Sequence, residues 1–491
     1  MLATGCALVA VMILFAVGID LISSSSDRSR LYQLRRVANW LAAGSAYVLF
    51  YMARYAGVVI NTASTRAMLG CTPSGYGALL SCGLWSYGVC TVLSGGIVDR
   101  VGGRRALMLG AVSCCASCGL AGAMLQAAPS YWLLLVLNVC NLGCSTLAAL
   151  AVVRINVDWY TKVERGTFSG IFGIMISTGY FVALGLGGWI FATGGPGASF
   201  LVPAVALALW LPVTATVADT PDDAKCISLS SATTCRREDS SAKMTAAPGA
   251  THQLVPYWQA VRRLLADPKI RATMLSLFGT GWVREGFLSW FGSYLHAVAG
   301  IEVGSPAHSA TTMAITLGGS VGAVALGVVS DRCCSSRRPP VVLGSAVCQA
   351  VVLLLYPLIL RGVAAAAPPG DEAQAAAVAV VLCGVLSVPL FGALTLLMAA
   401  ASVELVEPAL SGTASGLLNG AQYAGSGLSA LAGGAAIEWA GWDALFAQLV
   451  LGAFASIAGM ARVIWLQRVS SALPVALPLA IEDMVEEDSD L

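Results

Sequence analysis

Residues 95–105 read Gly-Gly-Ile-Val-Asp-Arg-Val-Gly-Gly-Arg-Arg, and residues 331–338 again begin with Asp-Arg and end with Arg-Arg. Each stretch directly follows an apolar run long enough to cross a membrane as a helix. The two aspartates, Asp99 and Asp331, are 232 positions apart. This recurrence predicts a chain built from two similar halves.

Two further pairs recur in the same order. Arg54 and Arg284, the two arginines deepest in apolar runs, are 230 positions apart. Gly-Thr-Phe-Ser-Gly at 166–170 and Gly-Thr-Ala-Ser-Gly at 412–416 are 246 apart, with the extra spacing assigned to the connection around 361–373. Two six-helix halves of this kind are typical of secondary transporters that rock one repeat against the other.

The composition places the chain in a membrane. Apolar residues make up 57% of it and charged residues 11%, against roughly 25% charged in a soluble domain. Twelve segments have spanning length: about 38–61, 74–98, 104–126, 130–154, 166–190, 197–217, 270–297, 307–330, 340–361, 374–402, 409–434 and 439–466. We therefore expect an all-α integral membrane protein with twelve transmembrane helices.

The segments divide the chain into five parts. We expect a leader over 1–37, a six-helix half over 38–217, a cytoplasmic linker over 218–269, a second half over 270–466 and an acidic cytoplasmic tail over 467–491. The linker ends in a short amphipathic piece, Tyr257 to Asp267. The leader contains an apolar stretch interrupted by Asp20 and lacks the basic start of a signal peptide. An extra helix with its N-terminus outside is favoured, and an interfacial or disordered leader is the alternative.

Basic residues in short connections set the orientation. The connections after the second, fourth and eighth segments contain Arg104, Arg105, Lys162, Arg165, Arg337 and Arg338, whereas the opposite connections contain little beyond Arg66 and Arg361. Both ends of the twelve-helix core are therefore predicted to be cytoplasmic. The choice between the plasma membrane and an endoplasmic reticulum or organelle membrane stays open.

Several function classes are disfavoured. A net charge of +1 gives no basic field for nucleic acid. None of the four lysines follows a glycine, which excludes a Walker A loop and the ATP-driven pumps that use one. The 15 cysteines and three histidines show no metal-ligand spacing. No cofactor, metal or catalytic residues are expected, and the protein is not expected to be an enzyme.

Arg54 and Arg284 are the leading candidates for a binding site. An arginine near the bilayer centre is costly and therefore marks a polar task, and a guanidinium binds phosphate or carboxylate in a bidentate way. Tyr47 and Tyr51 share one helix face with Arg54, where packing and anion binding are both reasonable roles. The structural alternative pairs each arginine with a buried acid, but Glu285 points about 100° away from Arg284 on a helix and is expected to be an imperfect partner.

The charged connections are expected to act in gating or in setting topology rather than in binding. Charges at helix ends can pair and so hold one conformation of a bistable transporter. The residues concerned are Asp99, Arg100, Arg104, Asp331 and Arg332.

Several motifs match those of a known family. Residues 95–105 are similar to the general loop of the major facilitator superfamily. Tyr47, Tyr51 and Arg54 resemble the helix 1 signature, and residues 282–290 the helix 7 segment, of its organophosphate:phosphate antiporter family. The helix 4–5 connection of that family is resembled by Trp159-Tyr160 with Glu164-Arg165-Gly166, and its helices 10 to 12 by Glu404, Pro408, 412–416, Tyr423 and 441–443. The similarity runs from about 38 to 466.

The resemblance implies a major facilitator fold and exchange of a sugar phosphate or glycerol 3-phosphate for inorganic phosphate by alternating access. Arg54 and Arg284 match the two phosphate-binding arginines of the family, and Tyr51, Tyr87 and Tyr423 match cavity tyrosines. The implied partners are a small anionic substrate, inorganic phosphate and membrane lipid, with a monomer as the default.

The chain departs from this family at four positions in the site. Thr91 and Ile176 stand where the bacterial glycerol 3-phosphate branch has a lysine and a histidine, and Tyr55 stands where a lysine is common. Glu285 adds a carboxylate and is the candidate proton or counter-charge site. Two rival functions remain: a proton-coupled symporter of an organic carboxylate that uses Glu285, and a transporter-like sensor of sugar phosphate.

Overall fold

The computed structural model describes residues 2–23, 30–160, 164–221, 223, 257–334, 337–366, 373–404 and 410–472, and within these ranges its regular elements are all helices. Most of the predicted linker and the acidic tail from 473 onward lie outside the described residues, as does Pro408. The side chains of Asp99, Arg165 and Glu404 are also outside the description.

Fifteen helices follow one another along the described chain. They are α1 (Leu2–Ser23), α2 (Arg30–Val59), α3 (Ala63–Met68), α4 (Pro73–Val101), α5 (Gly103–Ala127), α6 (Tyr131–Trp159), α7 (Arg165–Tyr180), α8 (Gly187–Ala215), α9 (Tyr257–Ala266), α10 (Pro268–Ala299), α11 (Pro306–Cys333), α12 (Arg338–Ala366), α13 (Ala373–Glu404), α14 (Ser411–Ala440) and α15 (Trp442–Ala472). A π-helical segment, Phe181–Leu186, joins α7 to α8.

Three spanning helices begin with the same local chemistry. Thr72, Asp267 and Ser305 each adopt extended backbone and accept a hydrogen bond from an amide in the first turn of α4, α10 and α11. A proline follows each of them as the first helical residue. Such a side chain satisfies an otherwise unpaired amide, and proline lacks the amide that would go unpaired, so these pairs fix where each helix starts.

The helix boundaries agree with the twelve segments, with corrections at both ends of the core. α2 begins at Arg30 rather than at 38, and α15 continues to Ala472 rather than ending at 466. The fifth and sixth spans are separated inside α8 at Gly195, whose φ of 74° turns the chain. This turn lies between the predicted limits of 190 and 197. The amphipathic piece before the second half forms α9.

Hydropathy alone recognises only part of this core. By length and composition, eight helical stretches of the described chain could cross a membrane, and one of them, Gly170–Ala215, contains two spans. Helices α2, α10 and α14 are not among these eight stretches, and they supply Arg54, Arg284 and Tyr423. The three spans with the weakest apolar signal therefore all supply side chains to the centre of the molecule.

Three sets of helix contacts join the two halves. Helix α4 lies against α14, the π-helical segment and α7 lie against α11, and α2 meets α10. We call the end of the bundle with the α4–α5 and α11–α12 connections the basic end, and the opposite end the distal end. By the charge rule above, the basic end is the predicted cytoplasmic end.

The halves touch closely at the distal end. A Cβ at Gly77 would lie 2.6 Å from the carbonyl oxygen of Ala430, and one at Gly434 would lie 2.4 Å from that of Pro73. Only glycine permits the backbones of α4 and α14 to approach this far. The distal end of this interface is closed.

The basic end is more open. Glycines there on α4, α7, α11 and α14 have nothing within 4 Å of a Cβ position: Gly95, Gly96, Gly170, Gly173, Gly327, Gly416 and Gly420. The cross-half hydrogen bonds of the described residues, by contrast, cluster from the bundle centre to the distal end. The molecule is therefore in the state that opens toward the basic end.

The leader forms a helix that packs along α7. Asp20 is fully buried, and its carboxylate lies 2.8 Å from Nη2 of Arg36. Trp40 Nε1 donates to it at 3.0 Å and the Tyr160 hydroxyl at 3.1 Å, while Arg36 also pairs with Glu164 at 3.1 Å. Asp20, the charged residue that interrupts the apolar stretch, therefore binds α1 to the first half.

Candidate functional site

Arg54 and Arg284 lie at the centre of the bundle, and both are close to Tyr423. Arg54 Nη2 donates a hydrogen bond to the Tyr423 hydroxyl at 2.5 Å. The guanidinium carbon of Arg284 lies 5.8 Å from the centroid of the same ring. Both arginines are more than nine-tenths buried. The two residues predicted from their repeat positions thus meet at one place, between the halves.

Tyrosine rings surround the Arg54 guanidinium. Its carbon lies 4.1 Å from the ring centroid of Tyr87, and the rings of Tyr51, Tyr55 and Tyr423 lie between 5.4 and 5.6 Å. A cation near an aromatic face is attracted to its negative electrostatic potential. These rings partly replace the water that Arg54 gives up, and they hold its side chain in the site.

The predicted tyrosines differ in their distance from the charge. Tyr51 and Tyr87 contact Arg54, and the ring of Tyr87 also packs on that of Tyr423 at 4.5 Å between centroids. Tyr47 lies one layer away, with its ring 5.2 Å from Tyr51 and 5.2 Å from Phe172. Of the two roles left open for Tyr47, packing fits its position.

Glu285 forms an ion pair with Arg284, so the expectation that it would be an imperfect partner was wrong. Its Oε1 lies 2.7 Å from Arg284 Nη2 and accepts a hydrogen bond from the Tyr55 hydroxyl at 2.9 Å. Adjacent side chains leave a helix about 100° apart, but both are long and can bend toward the same space between the halves. The carboxylate is fixed from the other half by Tyr55.

Gln422 and Tyr180 belong to the site but were not predicted from the sequence, and Tyr55 was given no role in it. With its amide oriented to accept, the Gln422 oxygen lies 2.8 Å and 3.0 Å from the two terminal nitrogens of Arg284. Tyr180 meets the Tyr55 hydroxyl at 3.3 Å. Tyr55 could have been found, because it precedes Glu285 by the same 230 positions that separate the two arginines. Gln422 and Tyr180 carry no such signal.

A small pocket lies beside Arg54 and Glu285. Its lining combines Arg54, Tyr55, Asn138, Glu285 and Ser289 with four aliphatic side chains, Val58, Leu80, Leu84 and Leu142. The Ser289 hydroxyl and the Nε atoms of both arginines are buried without a hydrogen-bond partner. Buried donors in this state are costly, and an anion with several oxygen atoms would satisfy them. Within the described ranges, no three His, Cys, Asp or Glu side chains group as metal ligands.

The distal side of the site is closed by hydrogen bonds between the halves. Asn61 Nδ2 donates to the carbonyl oxygen of Ser289 at 2.8 Å, and the Ser293 hydroxyl donates to the carbonyl oxygen of Asn61. Arg66 Nη1 donates to Asn61 Oδ1 at 2.7 Å. The bonds of Asn61 to Ser289 and Ser293 join neutral groups of the two halves, so they can break and re-form without leaving an unpaired ion.

The predicted gating residues lie at the basic end, away from the site. Arg100, Arg104, Asp331 and Arg332 are exposed, and the backbone of Arg104 donates to Asp219 Oδ1 at 2.6 Å within the same half. The side chain of Asp99 lies outside the described residues. Their gating role stays a prediction, since it belongs to the state in which this end closes.

Comparisons with known proteins identify the family and the fold. The family model described as Major Facilitator Superfamily matches residues 43–401. No curated protein matches the chain. Two similar crystal structures show a bacterial homologue of the human lysosomal transporter Spinster. The first, inward-facing and unoccupied, has a TM-score of 0.60 and 15% identity, and the alignment covers 89% of this chain and 96% of that one.

The second structure, inward-facing and occupied, gives a TM-score of 0.56 at 15% identity, with 87% of this chain and 96% of the other covered. At this identity the likeness establishes the fold alone. The organophosphate:phosphate antiporter family is not identified by these comparisons.

Proposed function

The chain belongs to the major facilitator superfamily, and we propose that it exchanges an organic phosphate ester, a sugar phosphate or glycerol 3-phosphate, for inorganic phosphate. It is an integral multi-pass membrane protein and a transporter rather than an enzyme. The observation that carries the proposal is the meeting of Arg54 and Arg284, from equivalent helices of the two repeats, around Tyr423. Two guanidiniums contributed by different halves suit a compact anion that both halves must hold.

Alternating access follows from this arrangement. The anion enters from the open basic end and binds between the two arginines. Its oxygen atoms accept hydrogen bonds from the unpartnered Nε atoms of both arginines. An anion that contacts arginines of both halves draws the halves together at that end, because opposite charges attract. The distal bonds of Asn61 and Ser293 then break, and the site opens to the other side.

The test is exchange of labelled inorganic phosphate into proteoliposomes loaded with unlabelled phosphate. We expect wild-type exchange, and a loss of roughly a hundredfold in Arg54→Ala and in Arg284→Ala, since removing one partner of a buried charged contact costs about 2–5 kcal/mol. Arg361→Ala is the matched control: this arginine pairs with Asp443 at an exposed site and should leave exchange unchanged.

Wild-type rates in either of the two central variants would contradict the proposal. Absence of phosphate exchange by a folded wild-type protein would instead favour one of two other functions. Proton-coupled symport of an organic carboxylate is favoured by Glu285, which faces the site, and predicts uptake driven by a pH gradient and lost in Glu285→Gln. A sugar-phosphate sensor predicts ligand binding without flux.

A further inference from the structure

The site contains an anionic side chain of its own. Glu285 is almost fully buried, and its carboxylate oxygen contacts Arg284 Nη2 at 2.7 Å and accepts from the Tyr55 hydroxyl at 2.9 Å. These are the kinds of contact that a phosphate oxygen would make with the same donors. A ligand that uses Arg284 must therefore share it with this carboxylate or displace it.

The charges around Glu285 can be counted helix by helix. Helix α2 contributes Arg54 and Tyr55, α7 contributes Tyr180, α10 contributes Arg284, and α14 contributes Tyr423 and the neutral Gln422. An ordinary tyrosine is neutral at pH 7, as its pKa is about 10. Among the described residues, the site thus holds two positive charges and one negative charge.

The two arginines are consequently unequal. Arg284 is neutralised by Glu285, whereas Arg54 is held by a tyrosine hydroxyl and by ring faces, with no carboxylate paired to it among the described residues. The site has one net positive charge. It matches a monoanion, and a dianion would leave one negative charge unmatched next to the carboxylate.

We propose that Glu285 sets the charge of the transported anion. With Glu285 ionised, the site accepts a tetrahedral monoanion; a dianion binds only when Glu285 takes up one proton. The proton comes from the water that reaches the site through the open end, forms an O–H bond on the carboxylate, and returns to water when the anion leaves. The proposal rests on the proposed function, because the ligand is the anion held between Arg54 and Arg284.

The physical reason is repulsion between like charges in a confined site, which favours protonation of one of them. Once neutral, Glu285 releases the Arg284 guanidinium to the ligand and can keep its hydrogen bond with Tyr55. A dianion with one proton carries the same net charge as a monoanion. Exchange of a phosphate ester for phosphate is then electroneutral whichever ionisation state each takes.

Two anions of fixed charge separate this proton from the ionisation of the ligand. Sulfate stays dianionic and methanesulfonate stays monoanionic between about pH 5.5 and about pH 8, the range in which phosphate itself changes charge. Their binding to the full-length protein in detergent is measured by competition with labelled phosphate. We expect sulfate to bind at least tenfold more tightly at the lower pH, and methanesulfonate to bind equally at both.

Glu285→Gln should bind sulfate with the same affinity at both pH values, whereas Glu285→Asp, which keeps a carboxylate, should retain the pH dependence. Asp443→Asn, an exposed carboxylate in an ion pair, is the control and should behave as wild type. A readout without any variant is proton uptake: in weakly buffered solution near neutral pH, wild type should take up a proton with sulfate and none with methanesulfonate.

Unchanged pH dependence of sulfate binding in Glu285→Gln would overturn the inference and leave the proposed function standing. Sulfate binding to wild type without proton uptake would do the same. Failure of wild type to bind phosphate, sulfate and methanesulfonate alike would overturn both, so the two failures are distinguishable.

Discussion

Tyr423, a residue of the second half, contacts two side chains of the first half at the site. It stands on α14, accepts a hydrogen bond from Arg54 on α2, and packs its ring on that of Tyr87 on α4. A tyrosine at helical spacing usually serves only in packing. Tyr423 belongs to the site because its hydroxyl bonds with Arg54. The hydroxyl fixes the direction in which the Arg54 guanidinium points.

Replacing Tyr423 with phenylalanine should weaken phosphate binding about tenfold, because a hydrogen bond to a charged group contributes roughly 1.5–3 kcal/mol. The ring and its packing remain, so the fold should be unaffected. Equilibrium binding of labelled phosphate measures the change. Tyr47→Phe serves as the control, since Tyr47 contacts Tyr51 and Phe172 one layer from the charge, and equal losses in the two variants would count against the assignment.

At the scale of elements, α1 is fastened to the first half by a buried network of charges. Asp20 bonds with Arg36 and Trp40 of α2 and with Tyr160 after α6, and Arg36 reaches Glu164 before α7. Each polar group of the network is hydrogen-bonded or ion-paired with another, so the network stabilises one position of the leader. Removing Arg36 takes away the cation that both carboxylates share and leaves Asp20 buried without it, which is strongly destabilising.

Arg36→Gln should therefore lower the free energy of unfolding by about 3–5 kcal/mol, whereas Arg361→Gln, in the exposed pair with Asp443, should change it by about 1 kcal/mol or less. Denaturant unfolding of the detergent-solubilised protein compares the two. The loss in Asp20→Asn combined with Arg36→Gln should be smaller than the sum of the single losses, since both remove one interaction. Equal effects of the two arginine variants would show that α1 is not held by this network.

At the scale of the whole molecule, closure of the distal end depends on backbone contact between α4 and α14. Gly434 lies where a Cβ would meet the carbonyl oxygen of Pro73 at 2.4 Å. A backbone atom cannot swing aside as a long side chain can. The state that opens at the basic end is therefore available only while this position has no side chain.

Gly434→Val should disfavour this state by forcing the distal ends of α4 and α14 apart. Hydrogen–deuterium exchange should rise in these two helix ends, because their backbone hydrogen bonds become accessible, and phosphate exchange should slow at least tenfold. Gly344→Val on α12, where a Cβ meets nothing within 4 Å, is the control. Wild-type deuterium uptake in Gly434→Val would show that the close approach is not needed for closure.

The sequence identified the architecture from its repeats. Apolar runs of spanning length, recurring Asp-Arg pairs and two buried arginines at one offset predict a twelve-helix core, and the family match and the fold confirm it. Hydropathy and repeat symmetry are local or one-dimensional properties, so the chain displays them without its tertiary structure. The same logic selected Arg54 and Arg284, because a charge in an apolar run stands out by itself.

The tertiary structure decided which side chains meet those charges. Gln422, Tyr180 and the hydrogen bond between Tyr55 and Glu285 depend on how helices from both halves approach one another. Whether Glu285 turns toward Arg284 depends on the donors opposite it, and these come from a helix 230 residues away in the chain. The sequence therefore determined where the charges lie along each helix, and the packing of the two halves determined which of them are neutralised.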